Sequence, residues 1–202
     1  MADATRVEAV ADTSFLIALQ WLELLETLEQ VHTKVLIPER VWREFAEGAS
    51  EEELAAVAKV GVIQQVQVSD TTLAAAIGTA AEGGEAEVIA LALENRINLV
   101  LMDDYRGRKV AQRLGLKTRG ILGHLLLLKQ LGSIVSVRSY LETVEQLLTS
   151  GYPIGYGDHY AKTLRDRPDR RRMGNPRTHP QTRPLRRQNQ NTRTSQTLPP
   201  AR

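Results

Sequence analysis

Short apolar segments that alternate with helical segments constrain the fold more than any other feature of the sequence. Residues 7–12, 35–37 and 99–102 are apolar and strand-like, and a segment with helical character follows each of them. Residues 99–102 form a continuous apolar run, which is typical of a parallel strand buried on both faces. Strands that alternate with helices predict a mostly parallel sheet between two layers of helices. We therefore expect a three-layer α/β/α fold.

The remaining elements predicted from the sequence follow the same alternation. Further strands are predicted at residues 62–68, 117–119 and 135–137. Helices are predicted at residues 15–19, 22–28, 51–60, 73–80, 85–94, 106–114, 120–131 and 140–148, with one more after Pro38. Thr13 or Ser14 is predicted to cap the first helix. Pro38 fits the first turn of its helix, where the missing N–H costs nothing.

Composition narrows the class of protein. The chain has 202 residues, which suits one domain with an appendage. Aromatic residues make up only 4%, so the core must consist mainly of Leu, Val, Ile and Ala. The absence of Cys excludes disulfides, thiolate zinc sites and cysteine nucleophiles. The first residues do not resemble a signal peptide, and no apolar stretch is long enough to span a bilayer. We expect a soluble, cytoplasmic protein without membrane contacts.

Charge divides the chain into two parts. Residues 165–202 contain eleven Arg and two Asp, a net charge of +9, whereas residues 1–164 carry a net charge of −7. The same C-terminal region is rich in Pro, Gln, Asn and Thr and poor in large apolar residues, a composition typical of disorder. We predict a folded domain at residues 1–162 and a disordered basic tail at residues 163–202. The tail's charge suggests sequence-independent RNA binding, but a solvated extension without function is at least as well supported.

Acidic residues recur at matched positions of the predicted topology. Two follow strand ends and two lie in the helices that come after strands, namely Asp12, Asp103, Glu44 and Glu85. The carboxyl ends of parallel strands share one edge of the sheet, so these side chains should converge there. Converging carboxylates repel one another unless a cation neutralises them, and hard oxygen ligands suit Mg²⁺ or Mn²⁺. We infer a metal-dependent phosphodiester hydrolase, because divalent ions can activate water and neutralise phosphate oxygens.

The roles of individual residues follow from their positions. Asp12 and Asp103 lie at rigid strand ends and are the first candidates for metal ligands, with Asp104 beside Asp103. Thr13 and Ser14 follow Asp12 directly, and their hydroxyl or N–H groups are suited to holding a water or the carboxylate itself. Each acid also has a structural interpretation. Asp12 and its two successors can be a helix cap, Glu44 a solvated residue, Glu85 a partner of the helix dipole, and Asp103-Asp104 a turn.

Other α/β enzymes fit the sequence less well. A receiver domain has its acidic pair after the first strand, whereas Asp103-Asp104 follow a late one. A haloacid-dehalogenase-type phosphatase needs Asp-x-Asp, and Ser14 occupies the second position. The dinucleotide and P-loop fingerprints are absent. The four histidines, His32, His124, His159 and His179, show no spacing typical of metal ligands, so we assign them no catalytic part.

The motifs together resemble a known family. They are Val-Ala-Asp12-Thr-Ser-Phe-Leu-Ile, Ile-Pro38-Glu-Arg-Val-Trp-Arg-Glu44-Phe, Gly84-Glu-Ala-Glu-Val-Ile-Ala and Leu-Val-Leu-Met-Asp103-Asp-Tyr-Arg-Gly-Arg-Lys-Val-Ala. In this order they resemble a PIN-domain protein, and most closely the VapC-like group of toxin–antitoxin ribonucleases. The resemblance covers roughly residues 7–155, and the basic tail lies beyond it. It implies a Rossmann-like α/β/α fold.

The resemblance also implies an activity and its residues. The family's acidic quartet falls on Asp12, Glu44, Glu85 and Asp103, which would be catalytic. Of these, Asp12, Glu85 and Asp103 would bind Mg²⁺ or Mn²⁺, with Asp104 as an auxiliary ligand. Many such toxins have Asp at the third position, where this chain has Glu85, and Glu87 follows two residues on. The implied reaction is the cleavage of single-stranded RNA by one subunit of a toxin–antitoxin pair.

The expected partners are RNA, a second copy of the chain in a homodimer, and a small cognate antitoxin. VapC-like sites are inhibited when a partner inserts a basic side chain among the carboxylates. Arg106, Arg108 and Lys109 lie just beyond the Asp103-Asp104 pair and are candidates for contacts with RNA phosphates, together with Thr13 and Ser14. A solvated helix face explains the basic residues equally well. The alternative to a nuclease is a non-catalytic PIN-fold module that binds RNA or an antitoxin.

Overall fold

The computed structural model describes residues 6–81 and 83–149, with side chains up to residue 143. The predicted boundary at residues 162 and 163, the basic tail, His159 and His179 lie outside these residues. The described chain contains five strands: β1 Val7–Ala11, β2 His32–Pro38, β3 Ile63–Val66, β4 Leu99–Leu101 and β5 Lys117–Arg119. None of the described helices has the length and apolar character needed to cross a membrane.

Helices connect the strands. They are α1 Thr13–Trp21, α2 Leu28–Val31, α3 Glu39–Gly48, α4 Glu51–Lys59, α5 Thr71–Gly78, α6 Gly84–Glu94, α7 Tyr105–Arg113, α8 Ile121–Gln130 and α9 Val137–Thr149. A short 3₁₀ turn, Leu25–Thr27, precedes α2, where the sequence predicts one continuous helix. The other helices lie within a few residues of their predicted bounds.

All five strands run parallel in one sheet with the order β3-β2-β1-β4-β5. The chain builds outward from β1 to β2 and β3, then returns to the other side of β1 with β4 and β5. The point of reversal therefore lies between β1 and β4, which is where open α/β sheets bind ligands. The prediction of a three-layer α/β/α fold with a parallel sheet is confirmed.

Aliphatic side chains form the core, as the composition predicts. β4 is buried along its whole length, which fits its position in the sheet between β1 and β5. α6 packs against β1, β2 and β4 and buries seven of its eleven residues, which explains why it is apolar on nearly every face. Phe15 of α1 and Phe45 of α3 are fully buried and are the largest such side chains.

Two predictions about helix starts are wrong by one residue. Asp12, rather than Thr13 or Ser14, caps α1, because its carboxylate accepts a hydrogen bond from the N–H of Phe15. Pro38 ends β2 and precedes the first turn of α3 instead of lying within it. α4 begins as the sequence suggests, with Ser50 and Glu53 forming a capping box.

The predicted strand at residues 135–137 does not form. Val135 is 93% exposed, and Val137 is the first residue of α9. Ser136 explains the difference, since its hydroxyl accepts a hydrogen bond from the N–H of Ser139 at 3.4 Å and its carbonyl accepts one from the Ser139 hydroxyl at 3.0 Å. These are the contacts of a helix start, so local capping outweighs the β-branched side chains.

A buried pair of histidines packs under α1. The rings of His32 and His124 stack with centroids 6.3 Å apart, and the edge of Phe15 meets His124 at 5.5 Å. His32 Nδ1 donates to the carbonyl of Val7, whereas His124 Nε2 lies 3.1 Å from the hydroxyl of Thr27. Within the described chain the other nitrogen of each ring has no partner. Burial lowers the pKa of His32 to about 4 and that of His124 to about 3.

His124→Gln is expected to reduce the acid sensitivity of the fold. The unfolded chain takes up protons on histidine near pKa 6.5, while the folded imidazole of His124 resists protonation until its pKa of about 3. The free energy of unfolding therefore falls as the pH drops through this window, by up to about 1.4 kcal/mol per pH unit for each such group. Urea unfolding of parent and variant from pH 7 to pH 4 measures the difference. Parallel pH profiles would contradict the neutral, buried state of His124.

Candidate active site at the carboxyl edge of the sheet

Asp12 anchors the edge of the sheet where β1 and β4 meet. Its backbone N–H donates to the carbonyl of Leu101 at 3.0 Å, which joins the ends of the two strands. One carboxylate oxygen accepts from the N–H of Phe15 at 2.7 Å and the other from the hydroxyl of Ser14 at 2.9 Å. The residue is only 3% exposed. Its side chain is therefore fixed in one orientation by the first turn of α1.

Asp103 follows β4 and is buried beside the start of α8. Its Oδ2 accepts a hydrogen bond from the N–H of Ile121 at 2.9 Å. The residue in the cap position of α8 is Gly120, which has no side chain to offer, so Asp103 supplies the cap from another element. A Cβ on Gly120 would lie 2.6 Å from Asp103 Oδ1. Glycine is thus required for the close approach of this carboxylate to α8.

Asp104 and Glu85 both lie close to Gly107, in the first turn of α7. Asp104 caps the helix, because its Oδ1 accepts from the N–H of Gly107 at 2.7 Å. A Cβ on Gly107 would lie 2.9 Å from Glu85 Oε2 and 2.6 Å from the sulfur of Met102. Glu85 therefore reaches from α6 to the first turn of α7. Glu87, two residues along α6, lines a separate cavity beside α3 and α5.

Glu44 is held on the other side of Asp12. Its Oε2 accepts from the hydroxyl of Thr13 at 2.8 Å, and its Oε1 accepts from Arg40 Nε at 3.1 Å. A Cβ on Gly84 would lie 2.9 Å from Glu44 Oε2, so the carboxylate lies at the start of α6, where a helix dipole favours negative charge. The acidic crevice, as we call it, consists of Asp12, Glu44, Glu85, Asp103 and Asp104.

Burial and two neighbouring acids act on the carboxyl group of Asp12. Burial raises the pKa of Asp12 from 3.8 to about 8, and the charges of Asp103 and Asp104 raise it further, against the hydrogen bonds from Phe15 and Ser14 that lower it. Burial is the largest cause of this shift, and the neighbouring negative charges add to it. Such a position favours the binding of a cation.

The oxygen ligands of the acidic crevice suit a hard divalent ion. In the part of the chain that the structure describes, no three His, Asp or Glu side chains are arranged to hold a metal ion directly. Mg²⁺ commonly retains several waters and needs only one or two carboxylates, so the donor chemistry of Asp12 and Asp103 fits such an ion.

Basic side chains flank the acidic crevice on the side of α7. A Cβ on Gly120 would lie 3.3 Å from Arg108 Nη1 and 2.6 Å from Asp103 Oδ1, which places this guanidinium next to that carboxylate. Arg106 and Lys109 are exposed on the same helix. The position of Arg108 suits contact with a phosphate at the edge of the acidic crevice, while Arg106 and Lys109 present charge to solvent.

The structure brings together most of the residues singled out by the sequence. Asp103 and Asp104 act on Asp12 through their charges, Glu44 is hydrogen-bonded to the neighbouring Thr13, and Glu85 lies close to Gly107 in the first turn of α7. The hydroxyl of Ser14 donates to the carboxylate of Asp12, as predicted, whereas that of Thr13 donates to Glu44 instead. Contact of these residues with a substrate stays a prediction. Sequence reasoning missed the glycines at the helix starts and Arg40. Gly84, Gly107 and Gly120 are visible in the sequence, but their contacts with acids from other elements are not.

Asp12→Asn is expected to remove a pH dependence of stability. The unfolded side chain releases its proton near pKa 3.8 and the folded one near pKa 8, so between these values the folded state holds an extra proton. Asp12 therefore lowers the free energy of unfolding as the pH rises through this window. In EDTA, the variant should gain stability relative to the parent from pH 4 to pH 8. Equal slopes in urea unfolding would contradict the raised pKa.

Gly120→Ala is expected to displace Asp103 and to break its hydrogen bond to Ile121. The added Cβ would stand 2.6 Å from a short, buried carboxylate that has little room to move. We expect a loss of about 1–3 kcal/mol in the free energy of unfolding. Gly61→Ala is the matched control, because its Cβ would meet Glu29 at an ordinary 3.4 Å. An equal effect of both substitutions would show that the close approach at Gly120 is unimportant.

The comparisons with known proteins agree with this architecture. No curated protein matches the chain. Residues 8–152 match the family model DUF3368, a PIN domain, and this region covers more than two thirds of the sequence. PIN domains are generally nucleases and generally use divalent metal ions. The match does not extend to the VapC-like toxin group, which stays a prediction. From its fold, its acidic crevice and this match, the chain belongs to the PIN-domain family.

Proposed function

We propose that the protein is a Mg²⁺- or Mn²⁺-dependent endoribonuclease that cleaves single-stranded RNA, and that it is the toxin of a toxin–antitoxin pair. Nuclease activity in general follows from membership of the PIN-domain family. The metal, the RNA substrate and the toxin role go beyond what membership of the family implies. They rest on the acidic crevice, on the basic residues beside it and on the resemblance of the motifs to VapC-like proteins.

The observation that carries the proposal is the burial of Asp12 and Asp103 at the ends of neighbouring strands. Both are nearly inaccessible to solvent, and the charge of Asp103 is one of the causes that raise the pKa of Asp12. Burying two carboxyl groups at adjacent strand ends is costly for a purely structural role, since a neutral residue could cap α1 equally well. Strongly shifted pKa values at a ligand-binding edge are typical of functional sites.

Each residue of the acidic crevice has a part in the proposed reaction. Asp12 and Asp103 would hold the divalent ion, with Glu85 and Asp104 as nearby supporting carboxylates. A bound ion supplies positive charge for the phosphate oxygens and lowers the pKa of a water molecule. In hydrolysis the water oxygen bonds to phosphorus, the bond from phosphorus to the ribose oxygen breaks, and that oxygen takes up a proton. Glu44, which contacts Thr13 and Arg40, would orient the attacking water.

Contacts with RNA and with protein partners follow from charge. Arg106 and Arg108 would contact backbone phosphates, which position the strand without reading its sequence. A cognate antitoxin that inserts a basic side chain would offset the burial and the neighbouring negative charge that raise the pKa of Asp12. The proposal also includes a homodimer, which rests only on the resemblance to VapC-like proteins.

One observation favours the alternative of a non-catalytic PIN-fold module that binds RNA or an antitoxin. Among residues 6–81 and 83–149, no three acidic or histidine side chains lie close enough together to hold a metal ion. A binding module would keep the fold and the basic residues of α7 but would need no metal. Metal binding and RNA cleavage separate the two functions.

Asp12→Asn and Asp103→Asn are expected to abolish RNA cleavage. The purified full chain, freed of any bound partner, should cut single-stranded RNA with Mn²⁺ or Mg²⁺ and stop in EDTA. Each substitution removes a proposed ligand and should lower the rate at least about 100-fold. Glu47→Gln is the matched control, because Glu47 is an exposed acid one turn beyond Glu44 on α3. Cleavage by the Asn variants at the parent's rate would refute the nuclease.

Metal binding has a readout that does not depend on activity. Mn²⁺ should raise the unfolding temperature of the parent, because binding to the folded state alone stabilises it. Asp12→Asn should show no such increase, whereas Glu47→Gln should behave as the parent. Calorimetric titration of the same proteins gives the affinity. A full increase in the Asp12→Asn variant would place the ion elsewhere.

A further inference from the structure

A cavity of about 460 Å³ lies beyond the carboxyl ends of β2 and β3. The start of α3, the loop after β3, α5 and the first turn of α6 line it. It opens at the same edge of the sheet as the acidic crevice, two strand positions away, which corresponds to about 10 Å. Its volume is within the roughly 300–1,000 Å³ typical of sites for small organic ligands.

Arg40 joins this cavity to the acidic crevice. Its Nε donates to Glu44 Oε1 at 3.1 Å, and its side chain also lines the cavity. Between them lies Gly83, where a Cβ would be 3.6 Å from Glu44 Oε1 and 3.7 Å from Arg40 Nη2. Gly83 has φ of +57°, a value that side chains disfavour, so glycine is favoured at this position beside Glu44 and Arg40.

The walls of the cavity combine three kinds of chemistry. Arg40 and Arg43 provide planar guanidinium groups on the α3 side. Small residues such as Ala75 and Gly78 of α5 form a smooth wall that suits a flat ring. Glu87, together with the exposed Gln67, provides hydrogen-bonding groups.

The charges distinguish a nucleotide from a simple anion. Two carboxylates, Glu39 and Glu87, line the cavity with the two arginines, so the formal charges cancel. A free phosphate would be attracted by the arginines and repelled by the carboxylates. A nucleotide offers a phosphate to the arginines and the amino or imino donors of a base to the carboxylates.

We infer that the cavity binds one nucleotide of the RNA strand, next to the phosphate that is cleaved in the acidic crevice. Arg40 and Arg43 contact a backbone phosphate, and the base lies against the wall formed by α5 and α6. This inference rests on the proposed nuclease function. It adds a second binding site, which holds the strand in register and selects among bases.

Ala75→Leu tests the inference by filling the cavity. Ala75 is exposed on α5, so the larger side chain should not disturb the core, and Ala76→Leu is the matched control, since Ala76 is an exposed neighbour that does not line the cavity. The probes are the four ribonucleoside 5′-monophosphates, ribose 5-phosphate and inorganic phosphate, titrated into the full chain in EDTA and followed by NMR or calorimetry. At least one nucleotide should bind more tightly than both phosphates that lack a base.

The expected result is that Ala75→Leu and Arg43→Gln each raise the Kd of that nucleotide about tenfold or more. Ala76→Leu should leave the Kd unchanged. If no nucleotide binds the parent, if ribose 5-phosphate or inorganic phosphate binds as tightly as the nucleotides, or if Ala75→Leu binds as tightly as the parent, the inference is overturned. Asp103→Asn should retain nucleotide binding, because Asp103 does not line the cavity.

RNA cleavage provides the second arm of the test. An abasic residue next to the cleaved phosphate should lower kcat/KM about tenfold for the parent and for Ala76→Leu. The same abasic substrate should cause no further loss in Ala75→Leu, since the base no longer has a site. Cleavage without nucleotide binding would refute the cavity site alone, whereas nucleotide binding without cleavage would refute the nuclease and leave only a cavity that binds a nucleotide.

Discussion

Hydrogen bonds from helix starts to buried carboxylates are the interactions on which the carboxyl edge of this protein depends. Asp12 accepts from the first turn of α1, Asp104 from that of α7, and Asp103 from the first residue of α8. Free N–H groups at a helix start need an acceptor, and a carboxylate is the strongest one available. The same three contacts therefore set where the helices begin and where the acids point.

In this arrangement, opposing electrostatic effects act on the carboxyl group of Asp12. The helix starts favour negative charge, yet burial and the neighbouring acids raise the pKa of Asp12 to about 8. The folded chain is consequently less stable at neutral pH than it would be with a neutral side chain at this position. A cation that binds between Asp12 and Asp103 would remove the conflict, so the property that destabilises the isolated chain would strengthen the binding of the ion.

The sequence predicted those parts of the molecule that depend on local pattern. Apolar runs located the strands that flank the crevice, and the positions of Asp12 and Asp103 after them follow from the parallel topology. The contacts of Gly120 and Gly107 could not be predicted, because they depend on how α8 and α7 pack against acids from other elements. Residues 135–137 were misassigned because the capping by Ser136 outweighs β propensity. The cavity was missed because four distant segments form it.

The ion pair between Arg40 and Glu44 connects the two halves of the edge. While Arg40 is paired with Glu44, it reduces the negative charge that Glu44 presents to the acidic crevice. A phosphate that engages Arg40 from the cavity side would draw the guanidinium away and leave Glu44 more negative. A divalent ion would then bind more tightly, and by reciprocity a bound ion would favour the phosphate at Arg40. Binding of the strand and binding of the ion would thus reinforce each other. The Arg40–Glu44 ion pair is partly exposed to solvent, so it is weak enough for Arg40 to exchange Glu44 for a phosphate.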